Sequence, residues 1–310
     1  MSNSLPHVFA ATKNGFEVEG ISHIAVAVKD PTAARAFYGS VLGFDDTGSA
    51  LPDCGDHSLV RAASGQVVAL CRNGWRAASD TAVHNAYRVS PAQREAIFAR
   101  LAQRGVTVQR YREDRPREND DNCYFDDPDG NRIQLVLDPA ARGPGVAAID
   151  HVALQTFDIE WEEKLYIRTA GFGIEHVVGW RTTDHQRAKL WGEGKEEMMP
   201  GARRWDKRYT IRAGEPPKIA RPNMQIYLDA GNDGLAVYLA AEHYRIQPAE
   251  RLVGTPRVAF KVAAPLEDVA QKLAKFGRPV AGPIEHAANP WVKRSIYCRD
   301  IGGNFLEFCR

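Results

Sequence analysis

Apolar residues alternate with small or polar ones through ISHIAVAVKD, residues 21–30, then recur at helical spacing from Pro31 to Gly43. That pattern predicts a strand, a short helix started by Asp30-Pro31, and a turn at Gly43-Phe44. The same shape returns in AIDHVALQTFDIEWEEKLYIRTAGFGI, where His151 stands 128 residues after His23 and Gly171-Phe172 takes the place of Gly43-Phe44. A second pair of segments repeats more clearly. Residues 82–106 (AVHNAYRVSPAQREAIFARLAQRGV) and 255–280 (TPRVAFKVAAPLEDVAQKLAKFGRPV) both read as strand then helix. Each runs on into a strand, a turn and a strand of the form Tyr-x-x-Asp-x-x-Gly-x-x-x-(Gln/Glu). Tyr124, Asp127, Gly130 and Gln134 fill it once, and Tyr297, Asp300, Gly303 and Glu307 fill it again 173 residues later. The same offset sets Arg257 opposite His84.

Four βαβββ modules follow from these repeats, at about 20–72, 82–138, 148–240 and 255–310. The expected class is α+β, with the modules forming two tandem half-open barrels. The Pro/Gly-rich stretch 138–145 marks the boundary between a two-module unit at 20–140 and another at 148–310, behind an N-terminal extension at 1–19. The third module carries an insertion at about 180–222, rich in charge and tryptophan. It reads as a solvated excursion or as a lid.

Composition narrows the partners. The chain has 310 residues with 40 Lys and Arg against 39 Asp and Glu, which argues against a protein built for nucleic acid or acidic membrane. No apolar run is long enough for a transmembrane helix, and the first twenty residues lack a secretory pattern. The five cysteines are scattered without a CxxC pair, which suggests reduced thiols in a cytoplasmic protein and no cysteine zinc site.

With these repeats the sequence resembles the vicinal oxygen chelate superfamily, which includes glyoxalase I, the type I extradiol ring-cleaving dioxygenases, and the fosfomycin and bleomycin resistance proteins. The four-module length is most similar to the extradiol dioxygenases. The resemblance implies two modules curled around each metal, with ligands on first and last strands. A 2-His-1-carboxylate face would leave open positions for substrate oxygens and dioxygen on Fe(II). It puts His23, His84 and His151 at first-strand ligand positions and Gln134 and Glu307 at last-strand ones. Ala69 and, approximately, Val237 occupy the corresponding positions of modules one and three and supply nothing. Tyr297 would be the catalytic group that hydrogen-bonds the substrate.

The pattern also breaks. Arg257 stands where a ligand histidine belongs, and a guanidinium has no lone pair to give. Its expected partner is Glu307, in a bidentate pair filling the metal's space. The extradiol signature also expects a histidine six to eight residues before Ile296, and residues 288–290 supply none. If neighbouring modules pair, His23, His84 and Gln134 share a site. If module one pairs with four and two with three, the sets become His84, His151, Gln134 and His23, Arg257, Glu307. Three functions compete: an Fe(II) extradiol-type dioxygenase acting on a catechol-like aromatic; a glyoxalase-type isomerase or lyase using Mn, Ni or Zn; and a metal-free small-molecule binding protein. Each implies a small aromatic or bidentate anionic ligand, and the superfamily resemblance implies a homodimer or higher homo-oligomer.

Overall fold

A computed structural model describes residues 15–48, 51, 54–72, 74, 83–110, 123–156, 161–162, 164–178, 225–239, 250–287 and 289–310. The 180–222 insertion, with His185, lies outside the described residues. Module one runs β1 (Val18–Val28), α1 (Pro31–Phe37), β2 (Asp45–Thr47), β3 (His57–Arg61) and β4 (Val67–Arg72). Module two runs β5 (His84–Val89), α2 (Pro91–Gln103), β6 (Gln109–Arg110), β7 (Cys123–Asp126) and β8 (Arg132–Leu137). Module three contributes β9 (Ala148–Thr156), β10 (Gly173–Val178), β11 (Gln225–Asp229) and β12 (Gly234–Leu239). Module four contributes β13 (Arg257–Val262), α3 (Leu266–Lys275), β14 (Val280–Glu285), β15 (Arg294–Arg299) and β16 (Phe305–Cys309).

The helix starts follow the sequence. Asp30 caps α1 by accepting from the Thr32 and Ala33 backbone N–H groups at 2.9 and 3.2 Å, with Pro31 in the first turn. After α1 the chain tightens into a π-helical turn, Tyr38–Leu42, and leaves through Gly43 at φ +80°. A Cβ there would also lie 2.5 Å from the Gly145 Cα, so glycine is required twice over. Module three repeats the device at Lys164–Thr169 and Gly171, φ +83°.

The strands assemble into two eight-stranded mixed sheets, ordered β14-β15-β16-β13-β1-β4-β3-β2 and β10-β11-β12-β9-β5-β8-β7-β6. Module one therefore pairs with four, and module two with three, through the antiparallel seams β1–β13 and β5–β9. This differs from a division into self-contained halves at 20–140 and 148–310: each half of the chain gives one module to each sheet. The modules themselves are as the repeats imply. Opposite the concave faces, Ile24, Val26, Tyr87, Leu135, Leu154, Phe260 and Phe308 join one apolar core.

The repeated Asp-x-x-Gly-Asn turns join the two sheets. Asp127 accepts from the Asp129 and Asn131 backbone and from the Tyr38 hydroxyl, and Asn131 donates to the Ala27 carbonyl. Asp300 does the same with Asn304 and Tyr166, and Asn304 donates to the Gln155 carbonyl. The Asp300 half of the extradiol-like signature is thus a docking turn and stands outside any metal set.

Beside Asp300 sits the buried carboxylate of Glu162, one oxygen of which accepts from the Gly302 N–H at 2.8 Å. Burial, then the neighbouring charge of Asp300, pushes Glu162 well above the usual carboxylate range. Burial likewise raises Asp300 to about 6, against the hydrogen bonds from Asn304 and Tyr166. Folded-state values above the unfolded ones stabilise the fold at acid pH, and that stability is lost as pH rises through about 6. Glu162→Gln removes one of the two charges. It is expected to flatten a loss on the order of 1–3 kcal/mol between pH 4.5 and 8. Thermal melts of both proteins across that range check this, and parallel curves would remove the pair as the cause.

Cys54 and Cys71 form a disulfide with a Cα–Cα distance of 5.9 Å, whereas Cys123, Cys298 and Cys309 are free and buried. The expectation of reduced thiols throughout is corrected here. The two cysteines stand 17 positions apart in sequence, but the β3–β4 hairpin (His57 opposite Cys71) returns Cys71 to the side of Cys54. No helix among the described residues is long and apolar enough to cross a membrane.

Candidate metal site

Register places the candidate ligands. On adjacent strands Gln134 lies level with Ala86 and Ala86 with His151, so all three side chains leave one face of the sheet. His84, two residues before Ala86, points to the same face. The other sheet repeats the arrangement: Glu307, Ala259 and His23 form one row, and Arg257 stands two residues before Ala259. His23, His84, Gln134, His151 and Glu307 therefore divide between two constellations, and no site joins His23 to His84. The alanine position of β12 is Ala236, level with Ala153, rather than Val237.

In the two–three sheet the His84 and His151 Nε2 atoms face each other at 3.1 Å. Imidazole nitrogens bound at right angles to one ion at about 2.1 Å lie about 3 Å apart, so this pair fits a shared metal. The His151 Nδ1 donates to the Asp150 carboxylate at 2.6 Å, which turns the Nε2 lone pair toward His84. Asp150 also accepts from the Arg88 Nε at 2.6 Å. Burial would raise its pKa, but the bonds and charges of His151 and Arg88 outweigh that and hold it below the usual value. Gln134 and His151 open onto a cavity of about 640 Å³, which Tyr124, Tyr227 and Tyr238 also line. The rings of Tyr124 and Tyr238 stand edge-on to His84 at 5.5 and 6.2 Å.

The role of Asp150 gives a direct prediction. Asp150→Asn should weaken metal binding about 10- to 100-fold while leaving the fold in place, because the amide cannot hold His151 in the same tautomer. Isothermal titration with Zn²⁺ measures the change, and an unaltered affinity would mean that Asp150 does not orient the ligand.

In the one–four sheet the equivalent space is closed. The Arg257 Nε stands 2.8 Å from the Glu307 Oε2, and both side chains are buried. His23 Nε2 lies 3.2 Å from the same oxygen, and Ser295 donates to the other at 2.6 Å. The pair is made through one Glu307 oxygen rather than the expected bidentate fork. Burial would lift Glu307, yet the charges of His23 and Arg257 and the hydrogen bonds from His23 and Ser295 bring it down to about 2. A bound cation would have to compete with a guanidinium already seated on the carboxylate. Cys309 joins His23 and Glu307 with ligand atoms within 4.8 Å. Burial raises its thiol pKa, which disfavours the thiolate a metal needs. Leu51, Leu59, Ala69 and Trp291 fill the nearby floor.

Tyr297 lies in this closed half, 5.2 Å below the Arg257 guanidinium and 3.2 Å from the His286 Nε2. That histidine escaped the sequence reading because it stands ten residues before Ile296. His57 is structural, accepting from the Leu51 N–H.

Residues 20–135 match the Glyoxalase/Bleomycin resistance protein/Dioxygenase superfamily model. Residues 20–135, the first two modules, belong to that superfamily. The two sheets of paired βαβββ modules give the whole chain the vicinal oxygen chelate fold. It superposes with a TM-score of 0.60 and 16% identity on a Bacillus subtilis protein described as a dioxygenase, covering 94% of this chain and 85% of that one. Glyoxalase I from Zea mays superposes with a TM-score of 0.58 and 14% identity, over 94% and 92% of the two chains. Such likenesses establish the vicinal oxygen chelate fold and leave the reaction open. A stretch of 72 residues is also 29% identical to Ubiquitin-conjugating enzyme E2 13 of Schizosaccharomyces pombe, over 22% of this chain. The chain spans about half (49%) of that curated relative.

Proposed function

We propose that this vicinal oxygen chelate protein is a metal-dependent enzyme working in its two–three half-barrel, with ring-cleaving dioxygenation of a catechol-like aromatic as its reaction. The observation that carries the reading is the 3.1 Å approach of two Nε2 atoms, one of them fixed by a half-buried carboxylate, at the edge of a cavity lined by three tyrosines. His84, His151 and the Gln134 carbonyl would hold the ion. Bound Fe(II) would supply Lewis-acid polarisation of two adjacent substrate oxygens and a route for electrons to dioxygen.

The chain's own groups favour a catecholate. All three ligands are neutral, so the charge of the ion is left for the substrate to balance, and a chelating dianion does that best. Tyr124, Tyr227 and Tyr238 supply aromatic walls, and the linked hydroxyls of Tyr227 and Tyr238, 3.1 Å apart, supply polar contacts. Tyr124 replaces Tyr297 as the candidate substrate-facing tyrosine, because it holds the same repeat position on the open side.

A glyoxalase-type isomerisation using Mn, Ni or Zn is the second reading. Gln134 favours it, since a neutral amide in place of the carboxylate departs from the 2-His-1-carboxylate set associated with Fe(II) oxygenases. The test is an oxygen-electrode assay on Fe(II)-loaded protein with catechol and with resorcinol, whose hydroxyls are not adjacent. Uptake with catechol alone is the expected result. Turnover of a 2-oxoaldehyde–thiol adduct without oxygen uptake would replace the first reading with the second.

A further inference from the structure

One carboxylate beside the two–three site has no cation of its own. Gly234 lies level with His151, so Asp233 stands one residue from the ligand row, in the β11–β12 turn. The residue is only 9% exposed. Its Oδ2 accepts from the Ile21 N–H at 2.7 Å and from the Gln66 Nε2 at 3.0 Å. A Cβ at Gly20, φ +151°, would lie 2.7 Å from that oxygen, so only glycine admits the carboxylate there. The other oxygen, Oδ1, meets no donor among the described residues, and Asp233 lines the 640 Å³ cavity onto which Gln134 and His151 open. Burial raises its pKa, against the Ile21 and Gln66 hydrogen bonds and the charge of Arg88. Arg88 is the one arginine or lysine on the cavity wall among the described residues, and its Nε and Nη2 already serve Asp150 and the Asn232 carbonyl. The exposed carboxylates of Glu175 and Asp229 add to the same wall.

We propose that the substrate of the two–three half-barrel carries a primary-amine tail, whose ammonium donates to the Asp233 Oδ1 while the ring lies at the His84–His151 end. The inference rests on the catechol reading of that site and narrows its substrate class. A buried carboxylate gains most from a cation that brings its own N–H donors, because such a group meets the open oxygen and the charge together. A metal ion fits less well, since Asp233 belongs to no group of three ligand atoms close enough to hold one among the described residues. An ammonium needs only the one carboxylate. The neutral metal ligands take the anionic diol, and the acidic wall takes the cationic tail, so one cavity orients the substrate by charge at both ends.

Calorimetric titration of the Zn²⁺-loaded full chain, without oxygen, tests this with three catechols that differ in tail charge: dopamine, 4-methylcatechol and dihydrocaffeate. Dopamine should bind on the order of tenfold more tightly than the neutral 4-methylcatechol, and the carboxylate-tailed dihydrocaffeate more weakly than both. Asp233→Asn keeps an oxygen for Ile21 and Gln66 but loses the charge. It should remove most of the preference for dopamine over 4-methylcatechol. The series on the parent decides the matter even if the variant folds poorly. Affinities in the parent that ignore tail charge, or a preference unmoved by Asp233→Asn, would overturn the inference and leave the catechol reading standing. Failure to bind any of the three would strike the catechol reading, and the inference would fall with it.

Discussion

Arg257→Ala is expected to destabilise the fold by about 3–5 kcal/mol, the range for removing one partner of a buried ion pair. The effect should depend on pH. In the parent, the Glu307 pKa of about 2 lies below its unfolded value, so the carboxylate contributes stability above the ordinary carboxylate range and loses it only as pH falls through 2. In the variant, burial acts on Glu307 with the guanidinium gone and its pKa moves upward. That variant stabilises itself at acid pH by protonation and weakens as pH rises. The gap between the proteins should therefore widen from pH 4.5 to pH 8 in urea unfolding. Replacing Arg257 and Glu307 together by leucine should recover most of the loss, since no charge is then stranded in the sheet. A gap that stays constant with pH would show that Arg257 does not hold the Glu307 charge.

Much of this arrangement was legible in residue spacing. The 173-residue offset that sets Arg257 against His84 and Glu307 against Gln134 reflects two superposable strand rows, Gln134–Ala86–His151 and Glu307–Ala259–His23. Side-chain period two then fixes His84 and Arg257 on the ligand faces. Module pairing was not legible, because either pairing satisfies the repeats. The choice is made by contacts far apart in sequence, such as the Asp127 turn docking on Tyr38 and the Asp300 turn docking on Tyr166. Those two aspartates also show how a motif can mislead. Asp300 travels with Tyr297 and Glu307 in the signature, yet its side chain is spent on its own turn and a neighbouring module. His286 and the Cys54–Cys71 disulfide depend on where loops return to the sheet, which spacing along the chain does not encode.

His84→Ala is expected to lower metal affinity on the order of a hundredfold or more, since it leaves only His151 and an amide oxygen of the three strand ligands. Gln134→Glu should act in the opposite sense, because a carboxylate at the same last-strand position adds charge where the site has none. The two changes should also separate metal from substrate. A carboxylate neutralises part of the ion's charge, so the glutamate variant should hold metal more tightly and an anionic chelating substrate more weakly than the parent. Metal content by elemental analysis after brief chelator exposure, followed by titration with a catechol under anaerobic conditions, reads both effects. Should Gln134→Glu tighten the metal and the catechol together, substrate charge would not be what completes this site. If neither substitution changed metal content, the ion would not sit on these strands at all.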